Sequence, residues 1–62
     1  MNNQRLRDEV RYVKAFYGVS YKAMASCLSI KTNSMYNWLS GRYDFSDKRA
    51  EQLETLLKKM KE

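Results

Sequence analysis

The sequence contains no histidine and no proline, one cysteine and two glycines. Without histidine, a Cys/His zinc site and any catalytic arrangement that needs an imidazole are excluded, and one cysteine cannot form an internal disulfide. No apolar run approaches the roughly 20 residues that a membrane-spanning helix needs, and no apolar signal segment is present. We therefore expect neither metal nor cofactor, no membrane association, and a reducing, cytoplasmic setting for Cys27.

Acidic residues are missing from the middle of the chain. Residues 10–43 contain no Asp or Glu, but they contain five cationic residues: Arg11, Lys14, Lys22, Lys31 and Arg42. Acids and bases cancel in number within each flank, so the formal net charge of +5 resides in this segment. Such a segment suits a surface that lies against a polyanion, because Asp or Glu would repel phosphate. An excess of Lys and Arg on an ordinary solvated surface is the alternative.

Apolar residues recur at helical spacing in four segments. The predicted helices cover about residues 3–17, 21–28, 32–40 and 47–60. Ser20 and Ser46 are expected N-caps, whereas the cap of the third helix is open between Lys31 and Thr32. The sequence predicts one all-α domain over residues 1–62, a compact bundle of four helices with a central helix-turn-helix.

The predicted core is formed by the apolar stripes of the four helices. Phe16 is expected to widen the stripe of the first helix, and Cys27 is expected to be half-buried. Trp38 is expected in the core, while Tyr12, Tyr17 and Tyr43 should pack with their hydroxyls in water. The other predicted core residues are Leu6, Val10, Val13, Met24, Ala25, Leu28, Met35, Leu39, Ala50, Leu53, Leu57 and Met60, with Leu56 at the edge.

The second and third helices have the pattern of a helix-turn-helix. Ala25 is small where the two helices should approach most closely, and Ile30 is apolar just after the break. On the third helix, polar side chains fall at spacings that bring them to one side. These residues are Thr32, Asn33, Tyr36, Asn37 and Ser40.

This pattern resembles the Cro and lambda-repressor-like helix-turn-helix family, also called XRE-like. The resemblance extends over about residues 10–57 and rests on Ala25, Ile30, the Trp-Leu-Ser-Gly sequence at 38–41 and the Phe-Ser pair at 45–46. The chain departs from the family at Ser29, where relatives usually have Gly. It also ends after the fourth helix, whereas many relatives have a fifth that supports dimerisation.

The resemblance implies a sequence-specific regulator of transcription that binds double-stranded DNA, a small repressor or Cro-like switch protein. The third helix would enter the major groove, where Thr32, Asn33, Tyr36, Asn37 and Ser40 would contact base edges. The Asn amides suit adenine in particular. The expected phosphate contacts are Ser20, Tyr21, Lys22, Lys31, Ser34 and Arg42. If the protein dimerises, its operator should be an inverted repeat with half-sites about one helical turn apart.

Two other classes of function are alternatives to DNA binding. An adaptor or inhibitor could use the same fold to present its third or fourth helix to another protein. That interpretation explains less, because protein-binding faces usually expose aromatic or apolar anchors instead of Thr, Asn and Ser. An enzyme with a small-molecule substrate is not expected, because the central region contains no nucleophile–base pair, no carboxylate dyad and no glycine-rich phosphate loop.

Overall fold

The computed structural model describes residues 2–62, which form four α-helices and no strand. The helices are α1 (Asn3–Tyr17), α2 (Tyr21–Cys27), α3 (Thr32–Leu39) and α4 (Asp47–Met60). The prediction of a small all-α bundle is confirmed. The predicted helix bounds differ from the observed ones only at the ends of α2 and α3, where Leu28 and Ser40 are C-caps. Within residues 2–62, none of the helices is both long enough and apolar enough to cross a membrane.

The helix ends follow the capping pattern of the sequence. The side chains of Ser20 and Ser46 accept hydrogen bonds from the backbone N–H groups of Ala23 and Arg49, as expected for N-caps. Gly18 ends α1 in the left-handed conformation, with a φ of 72°. At α3 the N-cap is Lys31, and its side chain makes no capping hydrogen bond. The start of α3 therefore lacks the side-chain cap that α2 and α4 have.

The core lies where α1 packs on α4 and α2 packs on α3. Trp38 is fully buried, and its ring stacks on that of Phe45 with centroids 4.4 Å apart. Its indole N–H donates to Asn3 Oδ1 at 2.8 Å, so the polar group of this large side chain is satisfied inside the fold. The other buried apolar residues are Leu6, Val10, Val13, Met24, Ala25, Leu28, Met35, Leu39, Ala50, Leu53 and Leu57.

Two predictions about burial were wrong. Phe16 is 69% exposed, because a helix advances about 100° per residue and Phe16 is turned roughly a quarter turn from the line through Val10 and Val13. Cys27 is exposed, because it lies two residues after the buried Ala25 and so points away from the core. Tyr43 is exposed, and its hydroxyl also donates to the backbone oxygen of Ser34 at 2.7 Å.

The connection between α2 and α3 contains one residue in an uncommon conformation. Ser29 has a φ of 58°, in the left-handed region that favours glycine. This conformation lets the next N–H group, that of Ile30, donate to the oxygen of Ala25 at 3.0 Å and so close the end of α2. Ser29 thus reverses the chain over a short distance at a local conformational cost.

Ion pairs join the two flanks of the chain. Arg5 pairs with Glu54 at 3.0 Å, and Glu9 pairs with Lys61, so both pairs connect α1 with α4 or its end. In these two pairs, acids and bases that cancel in number within their own flank are joined in space to the other flank. The cationic middle segment contributes to neither pair.

Candidate nucleic-acid interface

The packing of α2 on α3 determines which side of α3 is accessible. Met35 and Trp38 are fully buried and Leu39 is 7% exposed, so this side of α3 faces the core. Ala25 of α2 is also fully buried, at the position where the sequence predicted close approach of the helices. The residues between these apolar positions on α3 are consequently turned outward.

The outward side of α3 carries the predicted base-reading residues. Asn33, Tyr36 and Ser40 are exposed, and Thr32 and Asn37 are half-buried. Within residues 2–62, the side-chain amides of Asn33 and Asn37 make no hydrogen bond, so both groups are available to a ligand. The Ser40 hydroxyl differs, because it donates to the backbone oxygen of Asn37 at 2.8 Å and its proton is already used. Ser40 can therefore offer a ligand only an acceptor.

The predicted phosphate-binding cations lie at the surface. Lys22, Lys31 and Arg42 are exposed, and within the described part of the chain none of them is in an ion pair. Lys14 also comes from the acid-free segment, and its ammonium lies 5.3 Å from the centroid of the Tyr21 ring. These charges are unneutralised by protein carboxylates, as a phosphate-binding surface requires.

The fifth cation of the middle segment has a different environment. Arg11 donates to the backbone oxygen of Leu39 at 2.8 Å, and its guanidinium lies 3.6 Å from a carboxylate oxygen of Asp8. Its charge is directed at the end of α3 and is partly balanced by an acid. Arg11 therefore offers an external anion less positive charge than its place in the acid-free segment suggests.

Among the other predicted phosphate contacts, Ser20 and Tyr21 make contacts within the protein through their side chains. The Ser20 oxygen accepts from the backbone N–H of Ala23 at 3.0 Å. The Tyr21 ring is half-buried against the core and meets the Tyr36 ring edge-on, with centroids 5.8 Å apart. Ser34 is half-buried. Lys22, Lys31 and Arg42 are thus the members of the predicted phosphate-binding set whose side chains are most available to a phosphate.

The sequence analysis missed Arg7, which is 6% exposed. Its Nε donates to Trp38 O at 2.6 Å, and one terminal nitrogen donates to Tyr43 O at 2.9 Å and to Asp44 Oδ1 at 2.8 Å. The guanidinium carbon also lies 5.2 Å from the centre of the Trp38 ring. All of these partners are at least 31 residues away in sequence, so no local pattern could have identified the site.

A comparison of the chain with protein-family models, with curated proteins and with solved structures found no significant match. A function for this chain must therefore be argued from its own residues and their arrangement. Among residues 2–62, no three His, Cys, Asp or Glu side chains are grouped so as to hold a metal ion.

Proposed function

We propose that this protein is a sequence-specific double-stranded DNA-binding regulator of transcription that inserts α3 in the major groove. It would act in the cytoplasm by binding, not by catalysis. The observation that carries the proposal is the outward side of α3, where Asn33 and Asn37 present unoccupied amides next to the exposed Lys31 and Arg42. Residues 10–43, which include this helix, contain no carboxylate that would repel a phosphate backbone.

The asparagine amides and the cationic side chains would make different kinds of contact with DNA. A side-chain amide can accept and donate side by side, which matches the N7 and N6 groups of adenine in the major groove. Lys22, Lys31 and Arg42 would contact phosphates, which fixes the register of the protein without conferring sequence preference. Tyr36, which is 52% exposed, offers its ring to a thymine methyl group.

In biological terms, we propose a small repressor or Cro-like switch protein of the XRE-like type, controlled by its own concentration. Binding to an operator would block access of the polymerase. If two copies bind together, the operator should be an inverted repeat whose half-sites lie about one helical turn apart.

The proposal is tested by selection of binding sites from random duplex DNA, followed by titration of the recovered site at several salt concentrations. We expect a defined consensus, and affinity that falls as salt rises because bound counterions are released. Recovery of no consensus, even at low ionic strength, would contradict the proposal.

One observation favours a second candidate function, binding to another protein. Tyr12 and Phe16 stack with ring centroids 5.3 Å apart, and Tyr17 meets both edge-on, yet all three are at least 41% exposed. Exposed aromatic anchors of this kind are typical of protein interfaces. The candidate surface is therefore α1, not α3 or α4. Failure of the DNA selection, together with binding of the protein to a partner that Phe16→Ser abolishes, would favour this adaptor function.

A further inference from the structure

The C-terminal end of α3 is held by two arginines of α1. The last carbonyls of a helix have no partner within the helix, and they carry the negative end of its dipole. Arg7 donates to Trp38 O and Arg11 donates to Leu39 O, at 2.6 and 2.8 Å. Because Arg7 and Arg11 are four residues apart, they project from the same side of α1 on successive turns. Two consecutive carbonyls of α3 are thus bound to two consecutive turns of α1.

Arg7 also fixes the segment that follows α3. Its terminal nitrogen binds Tyr43 O and the Asp44 carboxylate, while the guanidinium lies against the Trp38 ring. The side chain is 7% exposed, whereas the Asp44 side chain is 69% exposed. The charge of Arg7 is therefore directed entirely at the protein and is inaccessible to an external phosphate.

The start of α3 is less firmly capped. The N-cap Lys31 makes no side-chain hydrogen bond, and α3 has only eight residues. Near this end the hydroxyl of Tyr43, whose own carbonyl is bound by Arg7, donates to Ser34 O. The contacts of Arg7 therefore reach both ends of α3, directly at Trp38 and indirectly through Tyr43.

We propose that Arg7 and Arg11 are positioning residues that set the orientation in which α3 presents its polar side to base edges. This inference rests on the proposed DNA-binding function. Binding groups lose their complementarity when they move by more than about 0.5 Å or 10–20°. Base contacts depend on such geometry, whereas phosphate contacts of flexible lysines tolerate small rotations of α3. Loss of the two arginines should therefore reduce sequence preference while leaving non-specific binding unchanged.

The test compares Arg11→Met and Arg7→Met with the wild type on the selected duplex and on a random duplex, over a range of salt concentrations. We expect the ratio of specific to non-specific affinity to fall roughly tenfold or more in each variant, which corresponds to one missing well-placed base contact. The salt dependence should not change, because neither guanidinium contacts phosphate. The matched control is Lys58→Met, which removes one exposed cation of α4 and should leave the ratio unchanged.

Loss of stability alone would not produce this result. A smaller folded fraction lowers affinity for both duplexes by the same factor, so the ratio is preserved. Arg7→Lys provides a second check, because it keeps the charge but cannot bind Trp38 O, Tyr43 O and Asp44 together. It should reproduce much of the loss of preference. If Arg7→Met does not fold, Arg11→Met and Arg7→Lys decide the question.

Two outcomes would overturn the inference while leaving DNA binding intact. One is an equal loss on both duplexes together with a weaker salt dependence, which would make Arg11 a phosphate contact. The other is an unchanged ratio. If the wild type binds no DNA, the proposed function fails, and the positioning role is tested on the free protein by NMR. The backbone amide signals of residues 37–40 should then shift in Arg11→Met and not in Lys58→Met; unchanged signals would refute positioning.

Discussion

Ser29 adopts the left-handed conformation at the turn between α2 and α3. This conformation costs a residue with a side chain about 1–2 kcal/mol, a cost that glycine avoids. Since glycine loses more backbone entropy on folding, we expect Ser29→Gly to raise the free energy of unfolding by a net gain of about 0.5–1 kcal/mol. Urea unfolding followed by the fluorescence of Trp38, the single tryptophan, measures the change.

The matched control for this prediction is Ser26→Gly. Ser26 is exposed in the regular part of α2, so glycine there should destabilise the protein by about 0.5 kcal/mol. If both variants lose stability equally, the turn does not strain Ser29.

Asn37 and Lys31 differ in the kind of contact that they are proposed to make. We expect Asn37→Ala to cost about 1–3 kcal/mol on the selected duplex and to relax the preference at one base position. Lys31→Ala should weaken binding to all sequences by a similar factor, because phosphates are the same everywhere. Affinities on the selected duplex and on single-base variants of it measure both effects. If neither change alters binding, α3 does not contact the DNA.

At the scale of the helices, α4 depends on its N-cap. Ser46 accepts a hydrogen bond from the N–H of Arg49 at 3.2 Å, and Phe45 before it packs against the core. We expect Ser46→Ala to lower the free energy of unfolding by about 1 kcal/mol, because a backbone donor loses its partner. Thr55→Ala, at an exposed position within α4, is the control and should not destabilise the protein. Thermal unfolding followed by circular dichroism compares the two, and equal effects would contradict the capping role.

The four helices could be predicted because their signals are local. Apolar periodicity, the capping serines and Gly18 each act within a few residues, and the observed ends agree with them closely. Phe16 and Cys27 were placed incorrectly, because each is apolar in type but lies at a helical phase that turns it away from the core.

The candidate site also contains some residues that local sequence patterns predict and others that they do not. The side of α3 that carries Asn33 and Asn37 followed from helical spacing, and the structure leaves these residues accessible. The role of Arg7 could not be predicted, because it depends on partners such as Asp44, 37 residues along the chain. In the same way, nothing in the sequence near Arg11 indicated that it binds the end of α3 instead of facing solvent.

For the molecule as a whole, the number of accessible cations limits how strongly salt can affect DNA binding. Lys14, Lys22, Lys31 and Arg42 are exposed, whereas Arg7 and Arg11 are engaged within the protein. With three or four phosphates neutralised, log K should fall against log salt with a slope of about −2.7 to −3.6 per bound chain. Titration on a random duplex measures this slope. A slope near zero would contradict phosphate binding by this surface.

The packing of α1 on α4 determines when the chain can fold during its synthesis. The indole N–H of Trp38 donates to Asn3, and Glu9 accepts a hydrogen bond from Lys61, 52 residues later in the sequence. Neither half of the sequence can close the core alone, since α1 and α4 lie in different halves and pack on each other. During synthesis, α1 therefore gains its packing surface only after α4 has been made, and the core closes in one step that needs both helices.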